Sequence, residues 1–142
     1  MTQRLLLPLD GSAASTRAVA HVAGKARRFP GEYEIHLVNV QPPLPGGITS
    51  FVNRDQVAGF QRDESAKALA PGRALLDEAK VPYQWHAEVG PLAATVVSLA
   101  EKLGCDEIVM GTRGHTALTD FLIGSTVTRV VHLTKLPVLL VK

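Results

Sequence analysis

A group of glycines and hydroxyl residues in the segment 111–126 has the composition of a phosphate-binding loop. It contains three glycines and ends on two hydroxyl residues: Gly111, Gly114, Gly124, Ser125 and Thr126. Glycine lets backbone N–H groups turn toward a ligand without a Cβ in the way. The following residues have helical spacing, and a helix N-terminus adds unpaired N–H donors and a positive dipole end. The pattern is therefore compatible with a phosphate site, although three glycines are equally compatible with a plain loop.

The spacing of these glycines differs from two common nucleotide-binding motifs. No Gly-Lys-Ser or Gly-Lys-Thr sequence is present, so the segment is not a Walker A loop. It does not have the G-x-G-x-x-G spacing of dinucleotide-binding folds either, and it follows the fourth predicted strand rather than the first. The segment must be interpreted from its place in the fold.

Apolar runs and helical spacings alternate along the chain. Strands are predicted at residues 4–9, 34–40, 83–89, 107–110 and 136–141. Helices are predicted at residues 12–28, 55–79, 91–103 and 125–133, with Ser12 as the first N-cap and Pro91 at the first position of the third helix. The alternation predicts an α/β fold with a parallel sheet and helices on both faces, in one domain over residues 1–142.

Single residues add detail to the predicted helices and to one loop. Pro71 lies inside the predicted second helix, so that stretch is either one kinked helix, which we favour, or two helices. Helical spacing assigns Phe60, Leu92 and Val131 to buried faces. Residues 42–50 are rich in proline and glycine and form a loop long enough to act as a lid.

Three segments follow the carboxyl ends of predicted strands, where doubly wound sheets bind their ligands. They are the turn around Asp10, the loop after Val40 and the segment that follows Met110. If the first and fourth strands are neighbours, all three meet. Asp10 is then either a turn residue or a contact for ribose or a metal-bound water.

Composition and charge exclude several classes of function. The net charge is +2, and the basic residues form no stripe interleaved with aromatics, so we expect no nucleic-acid partner. No apolar run approaches the length of a membrane helix, and we expect a cytoplasmic protein. The single cysteine, Cys105, is predicted to be a small buried residue. Histidines 21, 36, 86 and 132 lie on different elements and indicate no metal site.

Motifs along nearly the whole chain resemble the universal stress protein family. They are PLDGS after the first strand, the EVG-P sequence before the third helix, DEIVMG, the glycine segment and the terminal PVLLV. ATP-binding members have two residues between the first two glycines, nine before the third, and then Ser or Thr, as here. The resemblance implies a flavodoxin-like, adenine nucleotide alpha hydrolase-like sandwich with strand order 3-2-1-4-5. It also implies a homodimer through the fifth strands, with Leu136, Val138 and Leu140 at the contact.

The resemblance also implies which residues would bind ATP, with or without Mg²⁺. Pro8, Leu9 and Asp10 would border the adenosine, and Val40 would contact the adenine through its backbone. Met110 and Gly111 would lie along the adenine and ribose. The phosphates would be held by Gly114, Gly124, Ser125 and Thr126. Arg113 is either a phosphate ligand or a solvated loop base, and Ser125 can cap the helix and bind phosphate together.

These features lead to one functional hypothesis and two alternatives. We expect an ATP-binding, nucleotide-responsive regulatory dimer of the stress response, with at most slow ATP hydrolysis. The first alternative is a dimeric interaction module that binds no nucleotide. The second is a weak ATPase or phosphotransferase that uses His115 or a nearby hydroxyl.

Overall fold

The computed structural model describes residues 2–43, 54–112 and 124–142. Its strands are β1 (Gln3–Pro8), β2 (Tyr33–Gln41), β3 (Gln84–Val89), β4 (Glu107–Gly111) and β5 (Val138–Val141). Its helices are α1 (Ala13–Arg28), α2 (Arg54–Glu78), α3 (Leu92–Lys102) and α4 (Ser125–Leu133). The predicted alternation of strands and helices is confirmed in these residues.

All five strands are parallel and form one sheet in the order β3-β2-β1-β4-β5. The chain moves from β1 outward to β3 and then crosses to β4 and β5, so the direction of winding reverses between β1 and β4. This is the predicted order. It brings the carboxyl ends of β1, β2 and β4 to one edge of the sheet, where ligands bind in this class of fold.

The central strand β1 has apolar side chains on both faces, as expected for a strand covered on two sides. Leu5 and Leu7 belong to a core that includes buried residues of α1 and α2. Leu6 belongs to a second core, which includes buried residues of α3 and α4. The helices therefore cover both faces of the sheet, because successive residues of a strand point to opposite sides.

Helix α2 is one helix that contains Pro71, so the alternative of two helices is wrong. Next to the proline, Gly72 lies against the sheet. A Cβ built there would come within 2.6 Å of Leu9 Cδ1 and 3.2 Å of Val19 Cγ2. The absence of a side chain at this position lets α2 approach β1 and α1 closely.

Three residues that helical spacing assigned to buried faces are largely exposed. The exposed fractions are 52% for Phe60, 42% for Leu92 and 50% for Val131. Periodicity shows which residues share one face of a helix, but it does not show how much of that face the rest of the fold covers. Pro91 is the N-cap of α3 and not its first helical residue, and Ser125 is the first residue of α4 and not its N-cap. The predicted first position of the third helix was therefore wrong by one residue, whereas the predicted start of the last helix at residue 125 is confirmed, although Ser125 does not cap it.

No helix in the described residues is long and apolar enough to cross a membrane. Cys105 is buried, as predicted. Burial raises the pKa of its thiol to about 11, with a further contribution from Asp106. The thiol is therefore a packing group at neutral pH.

Candidate functional site

A cavity of about 200 Å³ opens where β1, β2, β4 and the N-terminus of α4 meet. Most of the residues that the sequence assigned to a ligand line it: Pro8, Leu9, Asp10, Val40, Gly111, Gly124, Ser125 and Thr126. They come from four elements that are far apart in the chain. The sheet order brings them together, because it places β4 next to β1.

Of the three other predicted site residues, one does not line the cavity and two are outside the described residues. Met110 is only 5% exposed and belongs to the core between the sheet and helices α3 and α4. Arg113 and Gly114 lie outside the described residues, and so does His115. The proposed lid residues 44–50 are also outside them.

The cavity has further lining residues that sequence reasoning did not assign to it: Ser12, Ala14, Ser15, Val38, Asn39, Leu92, Thr112 and Val127. Three of them are direct sequence neighbours of predicted residues: Asn39, Thr112 and Val127. Leu92 is exposed because it is the first residue of α3 and faces this opening. Asn39 is the one buried amide among them, and its polar side chain inside an apolar strand was the signal that could have identified it.

Asp10 forms the turn between β1 and α1. Its Oδ1 accepts a hydrogen bond of 2.9 Å from the Ser12 N–H. Partial burial raises the pKa of Asp10, but hydrogen bonds from Ser12 and Ser15 outweigh it, and the net shift is downward. The carboxylate is therefore ionised at neutral pH and can accept hydrogen bonds from a hydroxyl group in the cavity. The turn role therefore leaves the carboxylate able to bind a ligand as well.

Helix α1 begins with the N-cap that the sequence predicted. The Ser12 Oγ accepts a hydrogen bond of 3.2 Å from the Ser15 N–H. The Ser15 hydroxyl in turn donates to the Ser12 carbonyl at 3.1 Å. These bonds hold the first turn of α1 in place along the cavity wall.

Gly111 ends β4 directly beneath that first turn. A Cβ built on Gly111 would collide with the Ala14 carbonyl group and come within 3.0 Å of the Ser15 nitrogen. The first glycine of the segment is therefore required by close backbone packing between β4 and α1. This structural reason is independent of any ligand.

The N-terminus of α4 lines the same cavity as Asp10. Its N-cap is Gly124, which forms no side-chain capping bond. The first backbone N–H groups of a helix have no partner within the helix. Gly124, Ser125 and Thr126 all line the cavity, so the start of this helix borders a space where an anion can bind.

Two histidines that the sequence analysis regarded as scattered are in contact on another part of the sheet. His36 Nδ1 lies 3.0 Å from His86 Nε2, and His36 Nε2 lies 2.7 Å from Glu34 Oε1. Parallel pairing of β2 with β3 brings them together although they are 50 positions apart in the sequence. Within the described ranges, no group of three or more His, Cys, Asp or Glu residues is placed to hold a metal ion.

The family model of the universal stress protein family matches residues 1–142. The chain belongs to this family. It is 33% identical over 141 residues to universal stress protein MJ0531 of Methanocaldococcus jannaschii, covering 99% of this chain and 82% of that protein. It is 32% identical over 144 residues to universal stress protein A homolog 1 of Coxiella burnetii, covering 98% and 95%.

Solved structures share the fold over almost the full length. The structure of hypothetical protein MJ0577 superposes with a TM-score of 0.79 at 25% identity, covering 100% of this universal stress protein and 96% of that chain. Other similar structures hold adenine nucleotides. A universal stress protein in complex with cAMP superposes with a TM-score of 0.72 at 22% identity, covering 99% of this chain and 97% of that chain. One from Archaeoglobus fulgidus in complex with dAMP has a TM-score of 0.68 at 19% identity, with coverages of 100% and 98%. One from Arabidopsis thaliana with AMP bound has a TM-score of 0.70 at 16% identity, with coverages of 99% and 91%.

Proposed function

We propose that this universal stress protein binds ATP or a related adenine nucleotide in the cavity at the carboxyl edge of the sheet, and that binding regulates a cytoplasmic homodimer in the stress response. The observation that carries the proposal is the position of the α4 N-terminus. Gly124 lacks a capping side chain and lines the same cavity as Asp10 and Val40. Positive dipole, carboxylate and strand end are thus placed to meet the phosphates, ribose and base of one nucleotide.

The roles of the residues follow from their groups. The first N–H groups of α4, with the hydroxyls of Ser125 and Thr126, would bind phosphate oxygens. Asp10 would accept a hydrogen bond from the ribose, and Val40 would contact the base. Similar structures with cAMP, dAMP and AMP support the adenine nucleotide class. Any hydrolysis of ATP is expected to be slow, and Mg²⁺ would accompany the triphosphate.

Isothermal titration calorimetry with AMP, ADP and ATP, each with and without Mg²⁺, tests the binding. We expect micromolar affinity in the wild type and its loss in Gly124→Leu. Gly24→Leu is the matched control, because a Cβ built on Gly24 meets nothing within 4 Å. Absence of heat with every nucleotide, together with absence of nucleotide released from the purified protein by denaturation, would leave a dimeric interaction module as the better hypothesis.

The proposed dimer uses β5, which is an outer strand of the sheet and pairs only with β4 in the described residues. An apolar edge strand with one unpaired side tends to pair with another chain. Leu136, Val138 and Leu140 would lie at the contact. Light scattering after size exclusion should give a dimer for the wild type and for Phe29→Lys, whose exposed side chain lies at the end of α1. Leu140→Lys should give a folded monomer, and a wild-type monomer would refute this interface.

A further inference from the structure

The strand β3 forms the edge of the sheet opposite β5, and it lacks the features that usually keep an edge strand from pairing. In the described residues it pairs only with β2, over six consecutive positions without a bulge. Proteins commonly protect such an edge with lysine, proline or a bulge. The strand Gln84–Val89 contains no lysine, arginine or proline, and its only acidic residue is Glu88. Within the described structure its outer side is therefore open to another strand.

The unpaired backbone groups of β3 belong to alternate residues. The Gly90 N–H donates to the Gln41 carbonyl at 3.0 Å, so the even-numbered residues of β3 direct their backbone groups toward β2. The N–H and C=O groups of Trp85, Ala87 and Val89 then point away from the sheet. These groups accept and donate no hydrogen bond among the described residues. The edge thus presents three donors and three acceptors.

The same three residues also present an apolar surface. Trp85 and Val89 are each 49% exposed, and Ala87 between them is exposed. Their side chains lie on one face of the sheet, because residues two apart in a strand point to the same side. On that face the guanidinium carbon of Arg73, from α2, lies 4.9 Å from the centroid of the Trp85 ring. The indole is thus held at the edge of the sheet, where a neighbouring strand would cover it.

A two-fold register about Ala87 satisfies all of these groups. Contacts between two copies of a chain are most often two-fold symmetric, and two-fold pairing of one strand with its own copy is antiparallel. With Ala87 on the axis, Trp85 lies opposite the partner's Val89, and His86 lies opposite the partner's Glu88. Every outward N–H and C=O then has a partner across the axis. Each aromatic ring meets a β-branched side chain, which is a favourable cross-strand pair.

Other two-fold registers of the same strand are worse. An axis on Glu88 would place two carboxylates directly opposite each other, which is destabilising. An axis on His86 would place Val89 opposite the partner's Tyr83, which lies outside the strand. An axis between two residues would oppose outward backbone groups to inward ones, and an axis at either end would leave half of the strand unpaired. We propose that β3 pairs antiparallel with β3 of a second copy of this chain, in the register centred on Ala87.

This contact is separate from the β5 contact and does not depend on nucleotide binding. In the wild type the two contacts together would extend the sheet beyond a dimer, so the test starts from Leu140→Lys. A six-residue strand pair is a small interface, so we expect an association that depends on concentration. Light scattering should show a monomer of Leu140→Lys at low concentration and a dimer at high concentration. Trp85 is the only tryptophan in the sequence, and its emission should shift to shorter wavelength over the same range.

A lysine on the axis should prevent this association. In the Leu140→Lys protein, Ala87→Lys would place two ammonium groups opposite each other, so the dimer and the shift of the Trp85 emission should both be lost. Phe29→Lys is the matched control. It also replaces an exposed side chain by lysine, but at the end of α1, so both signals should remain.

Cysteine cross-linking in the otherwise wild-type chain tests the register. Residues directly opposite each other in an antiparallel pair have Cα atoms about 5.5 Å apart, which suits a disulfide. Ala87→Cys should therefore form an intermolecular disulfide in a mild oxidant. Val89→Cys should not, because its copy would be displaced by four residues, roughly 13 Å along the strand. Cys105 is buried and does not compete.

The outcomes decide the proposal in either direction. A monomer of Leu140→Lys at every concentration, with unchanged Trp85 emission, would overturn it, and so would a dimer that persists in folded Ala87→Lys. Cross-linking at Val89 rather than at Ala87, or at neither, would also overturn it. If Ala87→Lys does not fold, the two cysteine variants decide. A failure of the β5 contact is seen separately, as a wild type that is monomeric at low concentration.

Discussion

Replacement of Gly111 by alanine tests the packing that places α1 against the candidate site. The added Cβ would collide with the Ala14 carbonyl group and come within 3.0 Å of the Ser15 nitrogen. Both obstacles are backbone groups in the first turn of a helix, so neither can move away by a change of rotamer. Relief requires that α1 and β4 separate, and the first turn of α1 forms part of the cavity wall.

The expected loss of stability follows from two opposing effects. Overpacking of a well-packed site costs typically about 1–3 kcal/mol, and a backbone obstacle favours the upper end, about 3 kcal/mol. Alanine also restricts the unfolded chain, which offsets about 0.4–1 kcal/mol. The free energy of unfolding should therefore fall by about 2 kcal/mol. For a chain of this size that corresponds to a melting temperature lower by roughly 8 °C.

Urea unfolding followed by circular dichroism measures this loss. Gly24→Ala is the matched control, because Gly24 lies within α1 and an added Cβ meets nothing within 4 Å. Alanine there should raise the free energy of unfolding by about 0.5–1 kcal/mol. If Gly111→Ala were as stable as the wild type while Gly24→Ala was stabilised, the close contact between β4 and α1 would be refuted.

Three further predictions concern other groups of the described structure. Ser12→Ala should lower the free energy of unfolding by about 1 kcal/mol and Ser12→Asp should largely preserve it, since aspartate also caps helices; equal urea midpoints for both variants would contradict the cap. Burial and then His36 lower the pKa of His86 from 6.5, against the opposing charge of Glu88. Below about pH 6.5 the unfolded chain then binds more protons than the folded one, so the free energy of unfolding should fall as the pH drops. The fall should be shallower in His86→Asn. Urea unfolding of both proteins from about pH 7.5 to about pH 5.5 would refute this if the free energy of unfolding changed with pH equally in the two. Cys105 should react with Ellman's reagent only after urea unfolds the protein, because burial raises the pKa of its thiol to about 11; rapid labelling of the native protein would contradict its buried position.

The order and type of the elements could be predicted because they depend on local patterns. A continuous apolar run at residues 4–9 indicated a strand covered on both faces, and β1 lies in the centre of the sheet. Turn chemistry at Asp10 and Ser12 located the start of α1. The exposure of individual helix side chains was predicted less accurately than the order of the elements. Phe60 and Val131 fit an apolar helical spacing, but both are largely exposed, although Val130, next to Val131, is fully buried.

The location of the cavity could also be predicted, because the carboxyl ends of parallel strands meet at one edge. The family resemblance added which individual residues would contact a ligand there. The sequence did not show why particular residues are needed there. Gly111 was interpreted as a ligand-facing glycine, and the structure shows in addition that it lies against the backbone of α1. Met110 was placed beside the nucleotide, but it faces a core because its neighbour along the strand takes the opposite side.

The sequence by itself determined the fold class, the family and the group of segments that form the cavity, because hydrophobic periodicity, turn residues and short motifs act over a few positions. Only the tertiary structure decided which distant polar groups meet. His36 and His86 form a pair, and Asn39 binds the Leu9 carbonyl, because strand order and register place them together. Register is a property of paired strands, and a slip of one residue would reverse every side chain. In the glycine segment 111–126, the structure thus gives Gly111 a packing role against α1 and makes Gly124 the N-cap of a helix that begins at the cavity.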